Sequence, residues 1–196
     1  MHGTSSGFSQ GSCSSDGEIV KLSQNGGGYR DWIYRDLPNS YTDNFAFDVR
    51  FQVLNSGGSS GTGSGVALVD GASYYTNRSD GLLVHVIGAN TYDQNAIVIF
   101  GGSSTTVDSR VASGWHTYSF LYSGGSLTVL WDGNEVGTAT GTFSKPLSRI
   151  CIGTDYTENA SLSWPDFEVD RIVIRKYISP EPSISVGGEE LAPGSW

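Results

Sequence analysis

The stretch at residues 115–137, WHTYSFLYSGGSLTVLWDGNEVG, leaves little choice of architecture, because two alternating runs flank a Ser-Gly-Gly turn and an Asp-Gly-Asn turn follows. The spacing predicts a β-meander. In the first run His116, Tyr118, Phe120 and Tyr122 fall on one face and Trp115, Thr117, Ser119 and Leu121 on the other, as a period of two requires. In the second, Leu127, Val129 and Trp131 share a face. Gly124 and Gly125 can take the positive φ values a tight hairpin imposes, and Asp132-Gly133 serves the next reversal. Tyr118, Phe120, Trp131 and Trp115 are assigned to the core, since each sits in an alternating strand position.

Strand patterns continue on both sides of the meander. EIVKLSQ at 18–24 reads as a first strand and WIYRDL at 32–37 as a second, stopped by Pro38. FAFDVRFQVL alternates most clearly, with Phe45, Phe47, Val49, Phe51 and Val53 on one face. A Gly/Ser-rich loop at 55–65 precedes the short buried runs GVALVDG and GLLVHVIG, and AIVIF, EVGTATGTF, RICIG and FEVDRIVIRKY complete the set. In the last run Phe167, Val169, Arg171, Val173, Arg175 and Tyr177 are predicted on one side and Glu168, Asp170, Ile172, Ile174, Lys176 and Ile178 on the other, pairing with the first strand. No segment carries a helical period with caps. The fold class read from these patterns is all-β, with two antiparallel sheets packed face to face as a sandwich.

One domain is expected, because 196 residues with 37% hydrophobic content support one sizeable core. Residues 1–12 read as a flexible N-terminal segment or cloning remnant, 13–178 as the sandwich, and 179–196, rich in Pro, Gly and Glu, as a linker to neighbouring domains of a longer chain. A net charge of -9 with scattered basic residues argues against nucleic acid, and no apolar run reaches the length of a membrane span. Abundant Gly with frequent Ser and Thr, only 16% charged residues, and the sequons at Asn77 and Asn159 point to a secreted or cell-surface protein. Cys13 and Cys151 form too small a set for a zinc site or a disulfide framework; one bridge tying the ends of the fold and two unpaired thiols both remain open.

GVALVDG, DGLLVHVIG, SGWHTYSFLYSGGSLTVLWDGNEVG and RICIG resemble the concanavalin A-like lectin and glucanase superfamily, in particular its laminin-G-like and carbohydrate-binding branches. FEVDRIVIRKYISPEPSISVG is similar to the end of sandwich domains in surface and secreted multidomain proteins, many of them archaeal. The resemblance covers about residues 13–178 and implies a jelly roll whose concave sheet and rim loops bind sugar.

Retaining glycosidases of that superfamily need two carboxylates, one to attack the anomeric carbon and one to protonate the leaving oxygen. Glu168-Val169-Asp170 resembles the start of their Glu-x-Asp-x-x-Glu pattern, but Val173 stands where the second Glu should be. A non-catalytic module that binds a polysaccharide is therefore the leading expectation, with a structural or adhesive domain as the alternative. Sugar binding requires aromatic faces for C–H stacking and a few polar groups for hydroxyls. Trp32, Tyr74, Tyr75, Tyr92 and Tyr156, in or beside loops and short strands, supply the first. Asp70, after a buried run, meets a hydroxyl or caps a turn; His85, opposite Val84 and Val86, is a structural histidine or a ligand contact. A structural Ca2+ is the one cofactor expected, held by Asp170 and a partner near Asp16, the alternative being Asp170 bonded to backbone or to an arginine. The resemblance supports the ion, because related sandwiches carry calcium between their terminal strands.

Overall fold

In the computed structural model the described residues are 2–3, 11–15, 20–24, 32–54, 62–71, 79–88, 92–153 and 166–179. They form fourteen strands in chain order: β1 (His2–Gly3), β2 (Gly11–Ser15), β3 (Val20–Gln24), β4 (Trp32–Tyr41), β5 (Phe45–Val53), β6 (Thr62–Val69), β7 (Gly81–Gly88), β8 (Tyr92–Phe100), β9 (Ser103–Val111), β10 (Gly114–Ser123), β11 (Ser126–Trp131), β12 (Asn134–Thr140), β13 (Leu147–Gly153) and β14 (Phe167–Lys176). Two seven-stranded sheets result. Sheet A runs β1-β4-β13-β6-β7-β8-β9 and sheet B β12-β11-β10-β5-β14-β3-β2, and every recorded pairing is antiparallel.

The meander forms as its alternation requires. Gly124 and Gly125 have φ of 59° and 79°, and Asp132 and Gly133 of 49° and 82°, so both hairpins turn on two left-handed residues that match the twist of the flanking strands. Tyr118, Phe120, Tyr122, Leu127, Val129 and Trp131 all face inward and are buried. Beside them in sheet B stand Phe45, Phe47, Val49, Phe51 and Val53 from β5, and against them Val66, Leu68, Leu82, Val84, Val86, Ala96 and Val98 from sheet A, in one continuous core. Phe51 stacks on Tyr118 at 6.0 Å and meets Trp131 edge-on at 6.3 Å, so the aromatic payload of the sandwich sits at its centre. Along one side the sheets converge. A Cβ on Gly137 of β12 would lie 2.6 Å from the Val107 carbonyl oxygen of β9, and one on Gly141 would enter the Phe100 ring. Glycine at these positions lets the two sheet edges meet.

Four expectations need correction. Pro38 does not stop its strand: β4 continues to Tyr41, because the pairing with β13 is irregular between Leu147 and Arg149 and frees the backbone opposite the proline. The alternation in the last strand changes sense part-way. A bulge between Val169 and Arg171 adds Asp170 as an extra residue, so Phe167 and Val169 are buried before it, while Ile172 and Ile174 pack on the core after it. Trp115 is half-buried on the outward face of sheet B with the Arg50 guanidinium 5.0 Å over its ring, outside the core. Finally, SSTTVDSRV is a full edge strand, β9, although no apolar alternation marks it. The expected pairing of the first and last strands is present, Val20 to Leu22 lying opposite Val169 to Phe167.

Candidate functional site

The outward face of sheet A is built from the residues between those that enter the core. On β7 Val84 and Val86 point inward, so Leu83 and His85 occupy outward positions. Register then carries one row across the sheet: Trp32 pairs with Gly153, Gly153 with Gly65, Gly65 with His85, His85 with Asn95 and Asn95 with Ser109. Two adjacent strands thus present glycine between Trp32 and His85, a span of three strand spacings or about 14 Å. Gly65 lies inside β6, where glycine marks a place at which a ligand or another segment comes close to the backbone, and Gly153 closes β13 beside it.

The polar end of this row has an unmet requirement. His85 and Asn95 are partly exposed, and the Asn95 Oδ1 is buried without a hydrogen-bond partner. Buried acceptors are nearly always paired in folded proteins, so this atom is suited to a donor from outside the chain. The next row, Tyr34, Cys151, Ala67, Leu83 and Ile97, is apolar and forms with Val69 and Ile99 a second buried cluster on the outward side. A third row brings Asp36 and Arg149 together: the Arg149 Nε donates to Asp36 Oδ1 at 2.7 Å, and the guanidinium lies 4.3 Å from the Tyr34 ring centre. Burial pulls the Arg149 pKa down, but the Asp36 hydrogen bond and charge outweigh it and leave it raised.

Asp70 and Asp80 bracket residues 71–79 at the end of the same sheet. The Asp70 side chain is only 2% exposed; its Oδ2 accepts from the Ser79 N–H at 3.0 Å and stands 3.8 Å from Lys145 Nζ. That geometry is a turn cap. Asp80 is fully buried and accepts from the N–H groups of Gly101 at 2.8 Å and of Ser144 and Lys145 at 3.0 Å, as well as from the Ser144 hydroxyl. Burial raises its pKa, yet these donors together outweigh burial and hold the carboxyl below its ordinary value. The base of the 71–79 segment is therefore rigidly fastened to the β8–β9 turn and to the approach to β13.

The expected site residues separate accordingly. The backbone brings Trp32 and His85 into one row, while Tyr92 pairs with Gly88, three residues along β8 from Asn95. Tyr74, Tyr75, Tyr156 and Asp16 lie outside the described residues. Asp170 faces Arg50, with Nη1 donating to its Oδ2, and the described residues contain no group of three or more His, Cys, Asp or Glu able to hold a metal. Glu168 accepts from the Gln52 amide at 2.6 Å, so both carboxylates of the glycosidase-like pattern are engaged by side chains of β5 on the outward face of sheet B. Cys151 lies in the outward cluster of sheet A, and Cys13 pairs with Leu22 of β3 in sheet B. Sequence reasoning missed Asn95 and the two glycines. Their signal was positional, a matter of which residues stand opposite His85, and emerges only with the register.

This architecture defines a class, the concanavalin A-like jelly-roll sandwich. The solved structures it resembles include one from work on endo-acting O-glycanases of the human gut microbiota that initiate mucin breakdown (TM-score 0.57, 10% identity, covering 84% of this chain and 85% of that one). Others are alginate lyase AlgAT5 of polysaccharide lyase family 7 (0.54, 12%, 87% and 84%) and a β-glucanase of Bacillus licheniformis (0.51, 13%, 90% and 91%). At these identities the likeness shows the fold. No protein-family model and no curated protein matches the sequence.

Proposed function

We propose that the chain is a non-catalytic polysaccharide-binding module that takes glycan on the outward face of sheet A. The observation that carries this reading is the buried, unpartnered Asn95 Oδ1 at the end of a row that crosses two glycines to Trp32. A carboxamide matches a sugar hydroxyl, which both donates and accepts, and an indole offers a face to pyranose C–H groups. Hydrolysis by double displacement would need two carboxylates about 5 Å apart on the binding face. On the outward rows of sheet A, Asp36 of β4 is already bonded to Arg149, and Asp93 of β8, opposite Ile87, stands four strand spacings or about 19 Å away. The fold is shared with proteins whose names mark them as acting on glucan, alginate and mucin glycans, which supports a glycan ligand outside the cell, in a secreted or surface-displayed protein.

Retention of the whole chain on insoluble polysaccharides, followed by a glycan array, tests this reading. Trp32→Ala and Asn95→Leu should each weaken binding by about 1–3 kcal/mol, the range for removing an aromatic platform or a buried polar contact. Binding unaffected by both variants would move the site to the tyrosines at 74, 75 and 156. Uniform failure to bind would favour the structural or adhesive reading. Calcium at Asp170 is a separate proposal: chelator would then lower the melting temperature through the binding linkage, and Asp170→Ala would remove that sensitivity. An unchanged melt would leave Asp170 as the ion-pair partner of Arg50.

A further inference from the structure

We infer that the ligand of the sheet A face is an uncharged polysaccharide, excluding uronate-rich and sulfated chains; this rests on the reading of that face as a glycan site. Recognition of a carboxylate or sulfate relies on an arginine or lysine whose donors are available to it. On the outward rows of sheet A the described guanidinium, Arg149, gives its Nε to Asp36 and lies on Tyr34, so its charge is already balanced. On the same face three and four strands away, the polar groups at Asn95 of β8 and at Ser104, Thr106 and Ser109 of β9 are carboxamide and hydroxyl, chemistry suited to neutral hydroxyls, and the further ionisable position, Asp93, is acidic.

The remainder of the molecule reinforces the discrimination. A net charge of -9 repels a polyanion at low ionic strength before any contact is made. Three arginines stand on the opposite side of the sandwich: Arg50 and Arg171 face each other directly across β5 and β14, and Arg175 donates to Asp48 at 3.1 Å. Two like charges at paired positions repel in the absence of counter-charge, and Asp170 supplies it to Arg50. Sheet A carries arginines as well, but Arg149 and Arg110 are bonded to Asp36 and Asp108, and Arg35 takes the position alternate to the outward Tyr34 and Asp36. The two faces of the sandwich are chemically distinct.

The whole chain titrated calorimetrically with soluble laminarin and galactomannan as neutral probes, and with alginate and polygalacturonate as acidic ones, tests the inference. A neutral probe should bind at least about tenfold more tightly than either uronate, with an affinity that changes less than about twofold between low and high salt, since no charge is neutralised. Uronate binding equal to or tighter than neutral binding, weakening steeply with salt, would overturn the inference and leave the glycan reading standing. Absence of binding to every probe would overturn both. Arg171→Ala distinguishes a residual acidic interaction on sheet B: it should abolish weak uronate binding and leave neutral affinity unchanged, and loss of neutral affinity would contradict the assignment to sheet A.

Discussion

Replacing Asp80 should be among the most damaging single changes outside the aromatic core. Its carboxylate is fully buried and receives three backbone N–H groups, from Gly101, Ser144 and Lys145, together with the Ser144 hydroxyl. Each donor left buried without an acceptor costs about 1–3 kcal/mol, so the four would sum to about 4–12 kcal/mol, comparable with the whole stability of a domain. Water entering the vacated space recovers part of that, and Asp80→Ala is expected to lose about 3–5 kcal/mol. Asp80→Asn keeps one oxygen but turns an NH2 toward donors, for an expected loss of about 2–3 kcal/mol. Because the folded-state pKa is lowered, the stabilisation is fully present above the ordinary carboxylate pKa of about 4 and disappears as pH falls through the lower folded value. Urea denaturation of parent and Asp80→Asn between neutral and strongly acid pH measures this. The stability gap should be widest near neutrality and narrow on the acid side. A gap under about 0.5 kcal/mol at neutral pH, or one that widens on acidification, would refute the account of the anchor.

Gly137→Ala forces a methyl to within 2.6 Å of the Val107 carbonyl oxygen and should cost about 1–3 kcal/mol by calorimetric melting; an unchanged melt would mean β9 and β12 do not close as described. Trp115→Ala should cost about 1 kcal/mol or less, removing one cation–π contact with Arg50 from a half-buried position, whereas Trp131→Ala should cost about 3–5 kcal/mol. The reverse order would contradict the assignment of Trp115 to the outward face.

What the sequence made legible was whatever alternation encodes. The meander, both of its turns and the inward face of β5 follow from a period of two and from residues able to take positive φ, and no long-range contact was needed to see them. The inward and outward sense of Trp115 was not misread as a period, since it was placed opposite Tyr118; it was misread as core because an indole was equated with burial, and here Arg50 covers it. At Asp170 the period itself failed, because one bulged residue exchanges the faces of everything after it. β9 was invisible for a different reason. An edge strand exposed on much of its surface carries Ser and Thr where a central strand carries Val and Ile, so it lacks the apolar signal by which strands are found. The site was legible only in part. His85 and Trp32 could be picked out by residue type, but Asn95, Gly65 and Gly153 acquire meaning from standing in the same row, and cross-strand register is a tertiary property.

Backbone amide chemical shifts of the labelled chain, followed during titration with a polysaccharide that it retains, test the central claim most directly. The account predicts that shifts concentrate at Gly65, His85, Asn95, Ser109 and Gly153, the described row of sheet A, with the outward positions Gln52, Trp115 and Glu168 of sheet B unmoved. Perturbations centred on Trp115 and its neighbours, or confined to residues remote from the glycine row, would contradict it.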